Sequence, residues 1–535
     1  MKRLIPVVLT LAVILCGCAA NVNGAQKNPA ANAEIPAPDI SGGINIVLSD
    51  AKITVDGAEI SNDPAQAVYT ANDIVFYPEG QNFTYGEGTK ADEHSQEEAD
   101  EHTVVHISKP GTYIVSGTLS AGQIAIDLGD DAEEDSSAVV NLVLNGADIT
   151  CTVAPAIIFY NVYECGSDDA DEAAAEVDTT KAGANVIIAD GSENNISGSY
   201  VARIYKPGSV ELSEDGTEVL DSKKLHKYDA AFYSKMSMNV FGGEKGTGVL
   251  NILADNEGLD SELHLTINGG NINIESGNDG INTNEDGVSV TTINGGSLNI
   301  LVNGATGEGD GIDSNGWLVI NGGSVNAQAC ATSGDAGIDS DMGIYINGGT
   351  VAASGNMLDA IAGGNANYAV FQFSARQSGG IYTLKSDKGY EKEISIENDF
   401  SYLIISGNDF AEGEYTLWCG DTQYAGASGS NMGHMGGGMR PEGGKRPEGE
   451  FGGNGQPTPP DGEMPGGENM PQPDGEQGMP PEGDPGGDWN GEMPEGMPGQ
   501  FPGMGAGTFG EVSEVFVISK GGNVFANVGP FETNA

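Results

Sequence analysis

The sequence predicts an all-β chain built as a β-solenoid, on three observations: a repeated phrase, a companion phrase upstream of each copy, and aliphatic alternation around them. Ile267-Asn268-Gly269-Gly270 recurs as Ile293-Asn294-Gly295-Gly296, Ile320-Asn321-Gly322-Gly323 and Ile346-Asn347-Gly348-Gly349, at spacings of 26, 27 and 26 residues. The companions are Gly258-Leu259-Asp260-Ser261, Gly280-Ile281-Asn282-Thr283, Gly311-Ile312-Asp313-Ser314 and Gly337-Ile338-Asp339-Ser340. A fixed period in the twenties made of short strands and glycine turns assigns one repeat to one coil. Leu263-His264-Leu265-Thr266-Ile267 and Ile272-Asn273-Ile274 place aliphatic residues at every second position, as half-buried strands require. A leucine-rich repeat has a similar period but needs a leucine-dense consensus, so a parallel β-helix fits better. Successive coils would then stack Asn268, Asn294, Asn321 and Asn347 about 4.8 Å apart in an amide ladder. The glycine after each Asn supplies the positive φ of the turn.

The remaining segments follow in order. Residues 1–18 open with Lys2-Arg3 and an apolar run, a secretory signal too short to span a bilayer comfortably. Leu15-Cys16-Gly17-Cys18 resembles the bacterial lipobox, which makes Cys18 the lipidated first residue and places the protein on the extracellular face of the cytoplasmic membrane. Residues 19–43 read as a disordered tether, 44–365 as the parallel β-helix, and 366–425 as a C-terminal β cap over the open end of the solenoid. Residues 426–507, rich in Gly, Pro, Met and Glu, read as a disordered insertion, and 508–535 as terminal strands that pack on the cap. Cys151, Cys165, Cys330 and Cys419 match no zinc spacing, and Cys151 and Cys165 flank one coil at a spacing that permits a bridge. His94, His102 and His106 lie among acids before a strand, where a solvated loop is the simpler reading than a transition-metal site.

The formal charge of −56, from 78 acidic and 22 basic side chains, repels phosphate backbones and excludes nucleic acid as a partner. If the coils stack, Asp260, Asp279, Asp310, Asp313, Asp335 and Asp339 gather on one face about 5 Å from like-charged neighbours. At an effective dielectric near 20 that repulsion is about 3 kcal/mol per pair. Calcium, a hard ion that takes carboxylates and carbonyls in flexible geometry, is the expected cofactor. Glu285 and Asp286 lie in a loop that lengthens one coil: Asn282 to Asn294 is 12 residues, against 8 in the other three. Such loops project from the binding face of a solenoid, and Trp317 and Tyr345, with Tyr368 and Trp418, are the candidate aromatic platforms.

An ordered series of phrases resembles a known family. Gly111-Thr112-Tyr113-Ile114-Val115-Ser116-Gly117-Thr118-Leu119, Gln123-Ile124-Ala125-Ile126-Asp127 and Val143-Leu144-Asn145-Gly146-Ala147-Asp148-Ile149-Thr150 are followed by Asp190-Gly191-Ser192-Glu193-Asn194 and Asp229-Ala230-Ala231-Phe232-Tyr233-Ser234-Lys235. Together with the repeats, from about Gly43 to Asn365, these resemble the extracellular carbohydrate-binding β-helix proteins of cellulose-degrading clostridia. The resemblance implies a right-handed parallel β-helix of pectate-lyase-like shape that binds calcium and a plant polysaccharide, cellulose or acidic pectic glycan, without catalysis; a monomer is expected. Glu164 to Ala182 and Lys206 to Lys227 are insertions relative to that pattern. Two rivals share the features: a pectate-lyase-like or glycoside-hydrolase enzyme, and a structural adhesin with no sugar site. The enzyme reading lacks a well-placed arginine, since Arg203 lies at the edge of the second insertion and Arg376 past the clean repeats.

Overall fold

Three ladders of mainly parallel strands are visited in the same order by successive repeats; two continue to the cap, while the third ends at Ile281–Thr283 but for a bridge from Ile281 to Ile312. The computed structural model describes residues 37–429 and 509–531, and with 50% strand against 2% helix the protein is all-β. Cys18, the signal segment and residues 430–508 lie outside the described residues. In one repeat the strands are Glu257–Ser261, His264–Ile267 and Asn271–Ser276, one for each ladder. In the next they are Ile281–Thr283, Val290–Ile293 and Ser297–Val302. Each strand pairs in parallel with its counterpart one repeat on, so Leu259 faces Ile281, Leu265 faces Thr291 and Asn273 faces Asn299. The sequence period is thus converted into spatial register.

Alternation explains the core. Ile272, Ile274, Leu298 and Ile300 point inward with Leu265, Ile267, Ile293, Leu318 and Ile320 to form one continuous apolar file; each such side chain contributes about 1.5 to 3 kcal/mol by leaving water. The positive φ falls on the second glycine of each phrase and not on the one directly after Asn: Gly270, Gly296, Gly323 and Gly349 have φ of 100°, 86°, 78° and 79°, a region closed to most side chains. Beside them the amide ladder forms, with Nδ2 of Asn294, Asn321 and Asn347 each donating at 2.9 Å to Oδ1 of the Asn one coil earlier.

Both ends of the stack are covered. Ile44–Leu48 pairs in parallel with the Tyr113–Gly117 stretch. At the other end Phe400–Ser406 lies antiparallel on Thr350–Gly355, which satisfies an edge otherwise open to pairing. Behind it a second core forms around Phe371, Phe373, Phe400, Leu403, Phe516 and Phe525. The strand Gly522–Pro530 pairs with both Tyr368–Gln377 and Thr422–Gly429. Pairing therefore continues through Gly429, past the expected boundary at residue 426, because Gly426 and Ala427 register against Ser513 and Val512.

The acidic insertion after Glu164 is a strap. Its Ala173, Ala175 and Val177 pack on Val290, Trp317, Val319 and Tyr345, the outward apolar side chains of one ladder. Glu164 Oε2 accepts the Ser237 amide at 2.6 Å, and Thr179 Oγ1 donates to the buried Asn239 Oδ1 at 2.8 Å. The four cysteines among the described residues are all free. The histidines disperse: His94 pairs with Glu98, His102 lies between Glu98 O and the Thr152 amide, and His106 pairs with Asp73.

Candidate functional site

Two surfaces of the same coils carry chemistry. The first is a column of carboxylates beside the ladder of Glu257–Ser261 and Ile281–Thr283. Register places Asn282 next to Asp260, and the Ile281 to Ile312 bridge carries the column on to Asp313. Asp339 N–H donates to Ile312 O at 2.7 Å, which adds the next coil. One oxygen each from Asp310, Asp313 and Asp339 lie within 4.8 Å of one another. Asp279 adjoins them, its Oδ1 accepting the Asp310 amide at 2.6 Å, and Asp310 in turn accepts the Ala336 amide.

Burial sets the electrostatics. Burial first, and then neighbouring carboxylates, hold Asp279, Asp310 and Asp313 well above the usual carboxylate range. The same causes push Asp339 up to about 7, and burial takes Asp359 to about 6. At the other end, Glu257 and Asp260 are also raised by burial and by like charges, with Lys227 opposing them. Lys227 Nζ pairs with Asp229 at 3.0 Å. Asp260 is fully buried, and both its oxygens accept from Asn284 Nδ2 at 3.0 Å. Two buried oxygens beside it, Glu257 Oε2 and Asn282 Oδ1, have no hydrogen-bond partner, a costly arrangement unless something donates to them or coordinates them.

The second surface is a groove of about 620 Å³ on the outer face of the ladder that contains Asn271–Ser276. Pairing aligns Asp148, Asn195, Asn251, Asn273, Asn299 and Asn326 in one outward file. Asn251, Asn273 and Asn299 each donate from Nδ2 to Oδ1 of the preceding member, at 2.9, 2.9 and 3.0 Å. Ser197, Leu253, Glu275, Leu301 and Gln328 form the neighbouring file, and Ser395 and Glu397 of the cap close one end.

A family model described as carbohydrate-binding domain-containing protein matches residues 101–389, more than half of the chain and a span that holds both surfaces up to the cap. The chain belongs to this carbohydrate-binding domain family. A carbohydrate-binding domain-containing protein of Acetivibrio thermocellus is 29% identical over 173 residues, which are 32% of this chain and 45% of that relative. The match thus spans less than half of the relative's length. A solved structure described as the polysaccharide lyase-like protein from C. thermocellum, gadolinium derivative, is 20% identical, covering 60% of this chain and 93% of that chain at a TM-score of 0.31.

In this carbohydrate-binding domain the expected aspartates separate into three groups. Asp310, Asp313 and Asp339 come together, with Asp279 adjoining. Asp260 sits at the far end with Asn284. Asp335 lies outside the three whose oxygens converge: its Oδ2 accepts the Gly309 amide at 2.7 Å and the Ser333 hydroxyl, though its charge still acts on Asp279 and Asp339. Trp317 and Tyr345 are not stacking platforms: they are 6% and 2% exposed, covered by the strap because their outward position would leave an apolar patch in water. Tyr368 and Trp418 are half-buried in the cap strands. Glu285 and Asp286 are exposed, and Asn315 Nδ2 reaches Asp286 at 3.3 Å. Sequence reasoning missed Glu257, Asp359 and the asparagine file. Glu257 precedes Gly258 as Asp279 precedes Gly280 and Asp310 precedes Gly311, which points to Glu257, and an Asn stands five residues after the Asn of three of the four repeated phrases, which points to Asn273, Asn299 and Asn326; neither pattern reaches Asp359.

Proposed function

We propose that this chain is a lipid-anchored protein of the bacterial cell surface that binds plant-type polysaccharide without cleaving it, with calcium in its carboxylate column. The three ladders are read as the sides of a right-handed parallel β-helix, which accounts for the 26- and 27-residue period and the parallel register. Cys18 is the proposed lipid attachment; among the described residues no helix is long and apolar enough to cross a membrane.

Family membership supports the sugar. Calcium dependence is carried by one observation: oxygens of Asp310 and Asp313 from one repeat and Asp339 from the next lie within 4.8 Å of one another. The donor set fits a hard cation, since it is all carboxylate oxygen, and the unpartnered Glu257 Oε2 and Asn282 Oδ1 extend a supply of free oxygen along the column. Calcium held by Asp310, Asp313 and Asp339 would supply the positive charge that cancels their repulsion and would tie together two successive repeats, the first of which also carries Asn326. The two arginines among the described residues support a non-catalytic reading. Arg203 faces Glu87 at 3.2 Å and lies over the Tyr205 ring, while Arg376 stands 4.0 Å from Asp399, so neither is available as a base beside the column.

The test is depletion of the protein by insoluble cellulose and by cross-linked pectin, with calcium and with a chelator, alongside assays for reducing ends and unsaturated products. The expected outcome is retention on a polysaccharide, weaker after chelation, with no product. Product release at enzymatic rates, or no retention on either polymer, would overturn the reading.

A further inference from the structure

We propose that the asparagine-lined groove is the glycan-binding face of this protein, and that its ligand is an extended, uncharged, β-linked polysaccharide chain lying along the stacking axis. This rests on the carbohydrate-binding reading above and assigns it a place and a ligand class.

The file from Asp148 through Asn195, Asn251, Asn273 and Asn299 to Asn326 follows the strand stacking, so a polar group recurs about every 4.8 Å. That interval is close to the advance of one sugar in an extended β-linked chain, and a linear polymer can meet successive amides with successive hydroxyl groups. Asn251 and Asn273 each use one N–H and one carbonyl lone pair on their neighbours, while Asn195 only accepts and Asn299 only donates within the file. An amide has two of each, and the side chains face solvent or are half-buried, so a second donor and a second acceptor point outward from each. Their orientation is fixed by the ladder before any ligand arrives, which lowers the ordering cost of binding.

Between the amides lies a strip suited to the C–H faces of sugar rings. Leu253 is 50% exposed on the sheet surface, and Leu301 lies two strands further along the same file. The cap makes this face a groove: Gln328 Oε1 accepts the Glu397 amide at 2.7 Å, which fixes the closed end.

Charge selects among glycans. The lining has carboxylates at Asp148, Glu275 and Glu397 and no basic side chain. A uronic acid polymer would bring like charge against all three, whereas a neutral glucan meets only hydrogen-bonding groups.

The test compares binding isotherms on amorphous cellulose in calcium buffer for the wild type, Leu253→Asp, Asn273→Thr/Asn299→Thr and Asn294→Thr. The last lies in the second amide ladder, on the turn side, and controls for loss of an amide that only stabilises the fold. The expected result is about tenfold or greater weakening for the first two variants, an unchanged isotherm for Asn294→Thr, and weaker binding of polygalacturonate than of cellulose by the wild type. Leu253→Asp alters an exposed side chain, so it reports on the groove even if the double variant folds poorly. If the wild type binds cellulose and neither groove variant changes it, the groove assignment fails and the carbohydrate-binding reading stands. If Asn294→Thr weakens binding as much as the groove variants do, the amides act through stability and the assignment again fails. If the wild type binds no polysaccharide, both fail together.

Discussion

Asp339 shows how a single residue inherits its chemistry from the stack. In an unfolded chain its pKa is about 3.9, yet burial, with Asp359 and Asp341 nearby, lifts it to about 7 in the folded protein. A carboxyl whose folded value is the higher one holds its proton more tightly when folded. Its contribution therefore favours the fold at low pH and is lost as pH rises through about 7. In chelator at pH 8, Asp339→Asn should unfold later than the wild type, by on the order of 2 kcal/mol. That advantage should shrink steadily between about pH 7 and pH 4, as the wild-type carboxyl takes up its proton. Urea unfolding of both proteins across this range checks the claim, and a difference independent of pH would contradict it. Asp339 was legible in the sequence because Gly337-Ile338-Asp339-Ser340 repeats the Gly311-Ile312-Asp313-Ser314 phrase. The place of Asp335 was less legible, because proximity to a repeat does not say which partners a turn carboxylate takes, and here one oxygen accepts from Gly309 and Ser333.

The strands and turns of each coil were legible because every coil solves the same packing problem with the same residues. Gly323 illustrates this at a turn. Its φ of 78° is left-handed, and a Cβ there would stand 2.8 Å from Gly296 O in the preceding coil. Gly323→Ala should cost about 2 kcal/mol or more, read as a lower urea midpoint with unchanged slope, whereas a neutral substitution would show that the turn is not held by the stack. The strap was not legible. Its composition is acidic and aperiodic, and its contribution is three small apolar side chains, Ala173, Ala175 and Val177, that meet Trp317 and Tyr345 only in three dimensions. For that reason those two rings read as exposed platforms. The asparagine file was hidden in a different way: Asn273 and Asn299 look like ordinary polar members of an alternating strand until register lines them up.

At the scale of the whole molecule, one geometric fact produces both surfaces. Parallel stacking makes residues about one period apart into neighbours, so a repeated aspartate becomes a column of like charges and a repeated asparagine becomes a rail of amides. The extreme net charge of −56 was evident from composition, but composition does not separate the buried carboxylates of the column from the solvated ones of the strap. The column is where the proposed counter-ion would sit, because the largest influences on Asp310 and Asp313 after burial are other carboxylates. Calorimetric titration of the metal-free protein with calcium, repeated on Asp313→Asn, tests this directly. Saturable binding with a Kd of about 1 mM or tighter, lost or weakened at least tenfold in Asp313→Asn, is the predicted result; no saturable binding, or equal binding by the variant, would contradict it.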